Sequence, residues 1–125
     1  TALASGWSGC LYLDGTDPAS PKFLRGSMGS AFRLPCLSIT TDDFLAEWPE
    51  ARARLAVASS GGDGMNFRLV DYTPPMALLV GGERGIPRAL GTLPAFRTYI
   101  PLHGGVESLN LAVAAGIIMF EAVRT

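Results

Sequence analysis

Short apolar runs and longer, mostly amphipathic stretches take turns along this chain, and their order predicts its elements. Cys10-Leu-Tyr-Leu13 is a brief apolar run closed by the turn-forming Asp14-Gly-Thr-Asp-Pro18. Ser20 and Pro21 supply an N-cap and a first-position Pro, which predicts a helix through about Phe32. Pro35 to Ile39 reads as a second strand. Thr41 and Asp42 can cap a helix from Asp43 to Arg54, which Pro49 must bend or split. Leu55-Ala-Val-Ala58 is a third strand, followed by a Ser59-Ser-Gly-Gly-Asp-Gly64 loop; Met65 to Asp71 is ambiguous. After Pro74-Pro75, Met76-Ala-Leu-Leu-Val80 is apolar throughout, as a central parallel strand is. Helical structure is limited to one turn near Leu90, and Phe96 to Pro101 is the fifth strand. Strands alternating with helices make an α/β fold, a mostly parallel sheet flanked by helices.

The last stretch, Tyr99 to Phe120, organises the rest. A strand ends at Pro101, a glycine pair follows at Gly104 and Gly105, and the chain then turns apolar. Its polar groups, His103, Glu107, Ser108 and Asn110, gather in the bend and the expected first helical turn. Strand C-termini and helix N-termini are where open α/β sheets bind ligands. From Leu111 to Phe120 no side chain is charged or hydrogen-bonding, so the helix is apolar all round and must be covered on every side. It is well short of the ~18–20 apolar residues that span a bilayer. The reading is burial on the sheet by one face and on another subunit by the other.

At 125 residues the chain is expected to form one domain with a real core. Apolar content of 48% and charged content of 17% set it apart from disordered chains. A net charge of −1 excludes nucleic-acid binding by bulk electrostatics alone, although a neighbouring domain can supply basic surface. Cys10 and Cys36 are too few for a disulfide scaffold or zinc site and read as buried structural thiols. Without a signal or stop-transfer segment, a cytoplasmic protein with no membrane partner is expected. Thr1-Ala-Leu-Ala4 reads like the tail of a helix, as if the chain were a piece of something longer.

Among candidate chemistry, the loop Gly81-Gly-Glu-Arg-Gly85 sets three glycines around one carboxylate, Glu83, at the end of an apolar run. Glycines let backbone approach a ligand closely, although a tight solvated turn has the same composition. No G-x-G-x-x-G or P-loop is present. His103 is the single histidine and fits a general base in type, but no Ser-His-Asp or Cys-His set and no metal cluster accompanies it. Ser108 and Asn110 suit helix capping as well as chemistry. Lys22, Arg25 and Ser27 fit either a solvated helix face or a phosphate contact.

Taken together, these segments resemble the SpoU/TrmH family, S-adenosylmethionine-dependent RNA 2′-O-ribose methyltransferases of the knotted SPOUT superfamily. Leu78-Leu-Val-Gly-Gly-Glu-Arg-Gly-Ile-Pro87 is similar to the family's second motif, an apolar strand leading into G-x-E-G-x-G. Ile100-Pro-Leu-His-Gly-Gly-Val-Glu-Ser-Leu-Asn110 resembles its third, I-P-M-x-G-x-x-x-S-L-N. Pro21-Lys-Phe-Leu-Arg-Gly-Ser-Met-Gly-Ser-Ala-Phe-Arg-Leu-Pro35 resembles the family's P-K-x-x-R-x-S-x-G-x-x-F-x-x-P segment. Leu102 replaces the usual Met, a volume-conserving change, and Arg84 stands where the family usually has Gly.

The resemblance implies a C-terminal trefoil knot whose crossings build the methyl-donor pocket. It implies backbone contacts to S-adenosyl-L-methionine from Gly81, Ile100 and Leu109, with Val80 and Leu102 lining the pocket. Glu83, Ser108 and Asn110 are then expected at the reacting centre, with no metal required. Lys22, Arg25 and Arg84 are expected on phosphates of a tRNA or rRNA substrate, and a homodimer is expected through the C-terminal helix. The family's first motif, N-x-G-x-x-x-R-x-A, should end in an Arg just before Thr1. Residues 1–125 are therefore read as a partial domain lacking its first strand, helix and motif, inactive by itself. The alternatives are a non-catalytic dimerisation or ligand-binding module of the same fold, and a nucleotide-binding enzyme of ordinary doubly wound topology.

Overall fold

The computed structural model describes residues 1–48, 53–60, 62–82 and 84–124. They form two compact units, Thr1–Trp48 and Pro49–Thr125.

In the first unit, β1 (Cys10–Leu13) pairs in parallel with β2 (Cys36–Ile39), placing Cys10 opposite Cys36. The opening turn ends in a Schellman motif: Trp7 N–H donates to Ala2 and Gly6 N–H to Leu3, with Gly6 at φ +79°. That is the helix-end geometry expected of Thr1–Ala4. Ser20 caps α1 (Pro21–Gly26) as expected, its side chain accepting from Phe23 N–H. The helix stops six residues short of the expected end at Phe32. Met28 and Gly29 both turn left-handed, and the chain resumes as a 3₁₀ turn over Ser30–Phe32. Helix α2 (Thr41–Glu47) is capped one residue earlier than expected, by Thr40, whose side chain accepts from Asp43 N–H. Asp14 accepts from both the N–H and the hydroxyl of Thr41, tying the end of β1 to the start of this helix. The expected continuation to Arg54 does not occur, because Trp48 is already extended and Arg54 begins a strand; Pro49 lies outside the described residues. Contrary to expectation, both cysteines are only half-buried, since a two-stranded sheet is too narrow to enclose them.

The second unit carries a four-stranded, all-parallel sheet in the order β4-β6-β3-β5. Its strands are β3 (Arg54–Ser59), β4 (Met65–Asn66), β5 (Met76–Leu79) and β6 (Phe96–Tyr99). The ambiguous stretch resolves into β4 and a 3₁₀ turn, Phe67–Leu69. Successive residues Leu55 and Ala56 of β3 face opposite ways, yet both are buried, so the strand is covered on both sides. The apolar run expected to be central, β5, instead ends the described sheet order, and all four of its residues are half-buried. The α/β class stands, with the described strands in two parallel sheets rather than one.

Helix α3 (Leu111–Ala122) packs on the Phe67–Leu69 turn. It buries Ala115 and Ile118, the latter contributing roughly 2–3 kcal/mol. Its other side leaves Val113, Ile117 and Phe120 exposed at four- and three-residue spacing, a continuous apolar stripe. Among the described residues no helix is long and apolar enough to cross a membrane.

Candidate functional site

Because the strands of the second unit run in one direction, their C-terminal ends gather at one edge of the sheet. A cavity of about 420 Å³ opens there, within the range of small-molecule sites. Ser59 and Ser60 enter it from the end of β3, Val80 and Gly81 from the end of β5, and Ile100 from the end of β6. Leu102, Ser108 and Leu109 line it from the loop that follows, and Leu111, Ala114 and Ile118 from α3.

The two glycine bends reach this cavity by different means. In the first, Gly85 N–H donates to the Gly82 carbonyl at 2.9 Å, and the two residues form an antiparallel bridge. Gly85 needs its φ of +77° for this, and a Cβ on Gly81 would stand 3.0 Å from Gly85 main chain and 3.1 Å from Ile86 Cγ1. The second bend uses Gly104 and Gly105, both left-handed at +71° and +73°, and runs exposed from His103 to Asn110. Helix α3 starts only at Leu111, so Ser108, expected in its first turn, lies in the loop and Asn110 is the N-cap. The Asn110 Oδ1 accepts from Ala112 N–H at 2.9 Å and Val113 N–H at 3.3 Å, leaving its Nδ2 as a donor.

Of the residues singled out in sequence, Val80, Gly81, Ile100, Leu102, Ser108 and Leu109 thus line one cavity. Asn110 stands beside it as a cap. Arg84 and His103 are exposed and do not line it. Glu83 lies outside the described residues. Lys22 and Arg25 are exposed on α1, in the first unit, and Ser27 Oγ donates to the Leu24 carbonyl at 2.8 Å.

Sequence reasoning missed Val57, Ala58, Ser59, Ser60 and Arg97. The available signal was position: Ser59 and Ser60 end a parallel strand, where ligands bind. Register supplies Arg97, paired with Val57 across β3 and β6. It is the one charged side chain among the described residues lining the cavity. Arg97 Nη1 meets Asp63 Oδ2 at 3.0 Å, and Ser59 Oγ donates to Asp63 Oδ1. The Ser59 hydrogen bond first, and then the Arg97 charge, hold the Asp63 carboxyl below its ordinary range. Among the described residues no group of three or more His, Cys, Asp or Glu could hold a metal ion.

Comparison with known proteins agrees with this layout. The chain is 37% identical over 115 residues to a 23S rRNA (uridine(2479)-2'-O)-methyltransferase of Streptomyces viridochromogenes, covering 86% of this chain and 40% of that protein. A tRNA (guanosine(18)-2'-O)-methyltransferase of Aquifex aeolicus is 43% identical over 63 residues, covering 50% and 30% of the two chains. The crystal structure of the SpoU methyltransferase AviRb from S. viridochromogenes, in complex with the cofactor AdoMet, superposes with a TM-score of 0.87 at 34% identity. That match covers 98% of this chain and 51% of the other. The chain thus spans about half or less of each of these relatives. Parallel strands end at the cavity, both glycine motifs border it, and residues 1–120 match the SpoU rRNA Methylase family, to which this chain belongs.

Proposed function

We propose that this chain forms the methyl-donor pocket and part of the reacting centre of an S-adenosylmethionine-dependent RNA 2′-O-ribose methyltransferase. The observation that carries the reading is the meeting of both glycine motifs on one cavity. Its walls suit the donor. Val80, Leu102, Leu109 and Ile118 offer apolar surface to a purine, and Gly81 and Gly82 leave main-chain groups within reach of its polar edge. The bound donor supplies an electrophilic methyl on sulfonium sulfur.

The protein's part is to hold a poorly nucleophilic ribose hydroxyl in line with that methyl and to draw off its proton. Ser108, at the cavity wall, and the Asn110 Nδ2 donor orient the hydroxyl. Glu83 positions them, a role taken from the family resemblance. A first-motif arginine from outside these 125 residues completes the centre. The exposed cations Lys22, Arg25 and Arg84 contact phosphates of a tRNA or rRNA, and the 2′-hydroxyl itself marks the substrate as RNA. The Val113–Ile117–Phe120 stripe is the homodimer contact, and the C-terminus is threaded as a trefoil knot. The protein works in the cytoplasm, with its RNA.

Calorimetric titration tests the pocket. Micromolar binding of S-adenosylmethionine, with none of ATP or a nicotinamide cofactor, is expected. Donor binding by the full-length protein without methylation of any RNA would establish a non-catalytic module instead. Methylation by residues 1–125 alone would remove the outside arginine from the scheme.

A further inference from the structure

The cavity contains one feature that neither motif explains, the lining Arg97, which is paired with Asp63. We propose that Arg97, held in place by Asp63, recognises the carboxylate at the amino-acid end of S-adenosylmethionine. This rests on the reading of the cavity as the methyl-donor site and names the residue that sets its ligand preference.

Charge distribution is the first reason. The described lining is otherwise apolar, glycine or hydroxyl, so the cavity offers a single fixed cation. The donor has matching asymmetry: a flat nucleoside at one end and a free carboxylate and ammonium at the other. A guanidinium is suited to the carboxylate, because its planar fork of five N–H donors can donate to two oxygens at once. Asp63 engages Nη1, and the same aspartate offers a negative charge to the ammonium beside it.

The second reason is that the arginine's partner, Asp63, is itself braced. One Asp63 oxygen meets Arg97 and the other accepts from Ser59, itself a lining residue. Gly64, at φ +101°, lies so close that a Cβ there would come within 2.3 Å of the Arg97 carbonyl oxygen. The loop bearing Asp63 is therefore pressed against the strand bearing Arg97, and only glycine permits it. Such pre-organisation lowers the ordering cost of binding.

The third reason is that stability does not account for the pair. Both side chains are more than half exposed, at 60% and 53%, where ion pairs add little to folding. A purely structural role predicts a variant with lowered melting and unchanged ligand preference.

The test compares two ligands on the full-length protein by titration calorimetry. One is S-adenosylmethionine; the other is 5′-methylthioadenosine, which keeps the nucleoside and sulfur but has no amino-acid end. Arg97→Ala should weaken S-adenosylmethionine binding roughly 10- to 100-fold, the loss of one charge-assisted contact. Its affinity for 5′-methylthioadenosine should change by less than about twofold on the same scale. Arg97→Lys, which keeps the charge, should lose less on the first ligand and nothing on the second, and serves alone if the alanine variant does not fold. Equal losses on both ligands, or none on either, would overturn the proposal. A wild-type protein that binds neither ligand would overturn the donor-site reading and this proposal with it.

Discussion

The two glycine bends show how differently one composition can be used. The Gly81–Gly85 bend is closed on itself by a bridge and a hydrogen bond, and even a methyl group at Gly81 would be crowded. Around Gly104 and Gly105 an added Cβ would meet nothing, and the polar groups that follow face solvent. The first bend is a finished wall. The second is a span fixed at its ends, by β6 on one side and the Asn110 cap on the other. Rigidity belongs where a ligand rests against main chain, and accessibility where a substrate hydroxyl must be reached.

The sharpest way to break this contrast is at Asn110. In the full-length protein Asn110→Ala should abolish methyl transfer, a loss of at least about a hundredfold in a labelled-donor assay if it removes an orienting contact. It should also lower stability by about 1 kcal/mol through the lost cap. Asn110→Asp keeps a capping oxygen but no donor, so it should melt like wild type and still fail to transfer. Wild-type turnover in either variant would leave Asn110 as a cap alone.

Next in size is Gly81→Val, which drives a branched side chain against Gly85 and Ile86 and into the cavity. Donor affinity by calorimetry should fall by roughly tenfold or more, in line with overpacking costs of 1–3 kcal/mol. A smaller contrast separates the bends directly. Gly85→Ala and Gly104→Ala each place a side chain at positive φ, at about 1 kcal/mol. Only Gly85→Ala should also weaken donor binding measurably, because its bridge shapes the wall. Equal effects on binding would erase the distinction between the two bends.

The smallest effect concerns pH. Asp63 is held below the ordinary carboxylate range, so its contribution is present at neutral pH and above that range. It is lost only as pH falls through the lowered value, when protonation releases Arg97. Donor affinity followed by titration should therefore be flat near neutrality and decline in acid. Asp63→Asn should remove that acid dependence.

Much of this layout was legible in the residues, for reasons that can be named. Ser20-Pro21 is a helix start whatever surrounds it, and Ile100-Pro-Leu followed by two glycines dictated a strand ending in a bend. Less legible were events decided by competition. The Pro21 helix breaks at Met28, a residue with no bias towards positive φ, although glycines on either side at Gly26 and Gly29 hinted at it. The helix expected through Arg54 loses that residue to β3, whose pairing with β5 and β6 is worth more than local propensity. The same limit applied to the site. Motif glycines announce themselves in sequence, whereas Arg97 enters through register with Val57, and no local pattern encodes a parallel partner.

Five of the lining positions, Ala58, Gly81, Gly82, Gly85 and Ala114, have nothing beyond a methyl group to remove. Replacement by alanine therefore removes nothing at these five: it leaves Ala58 and Ala114 as they are and reports at the glycines only what an added methyl does. Changes that add bulk or bend the main chain are the informative ones. Selection at such positions preserves emptiness and path rather than functional groups.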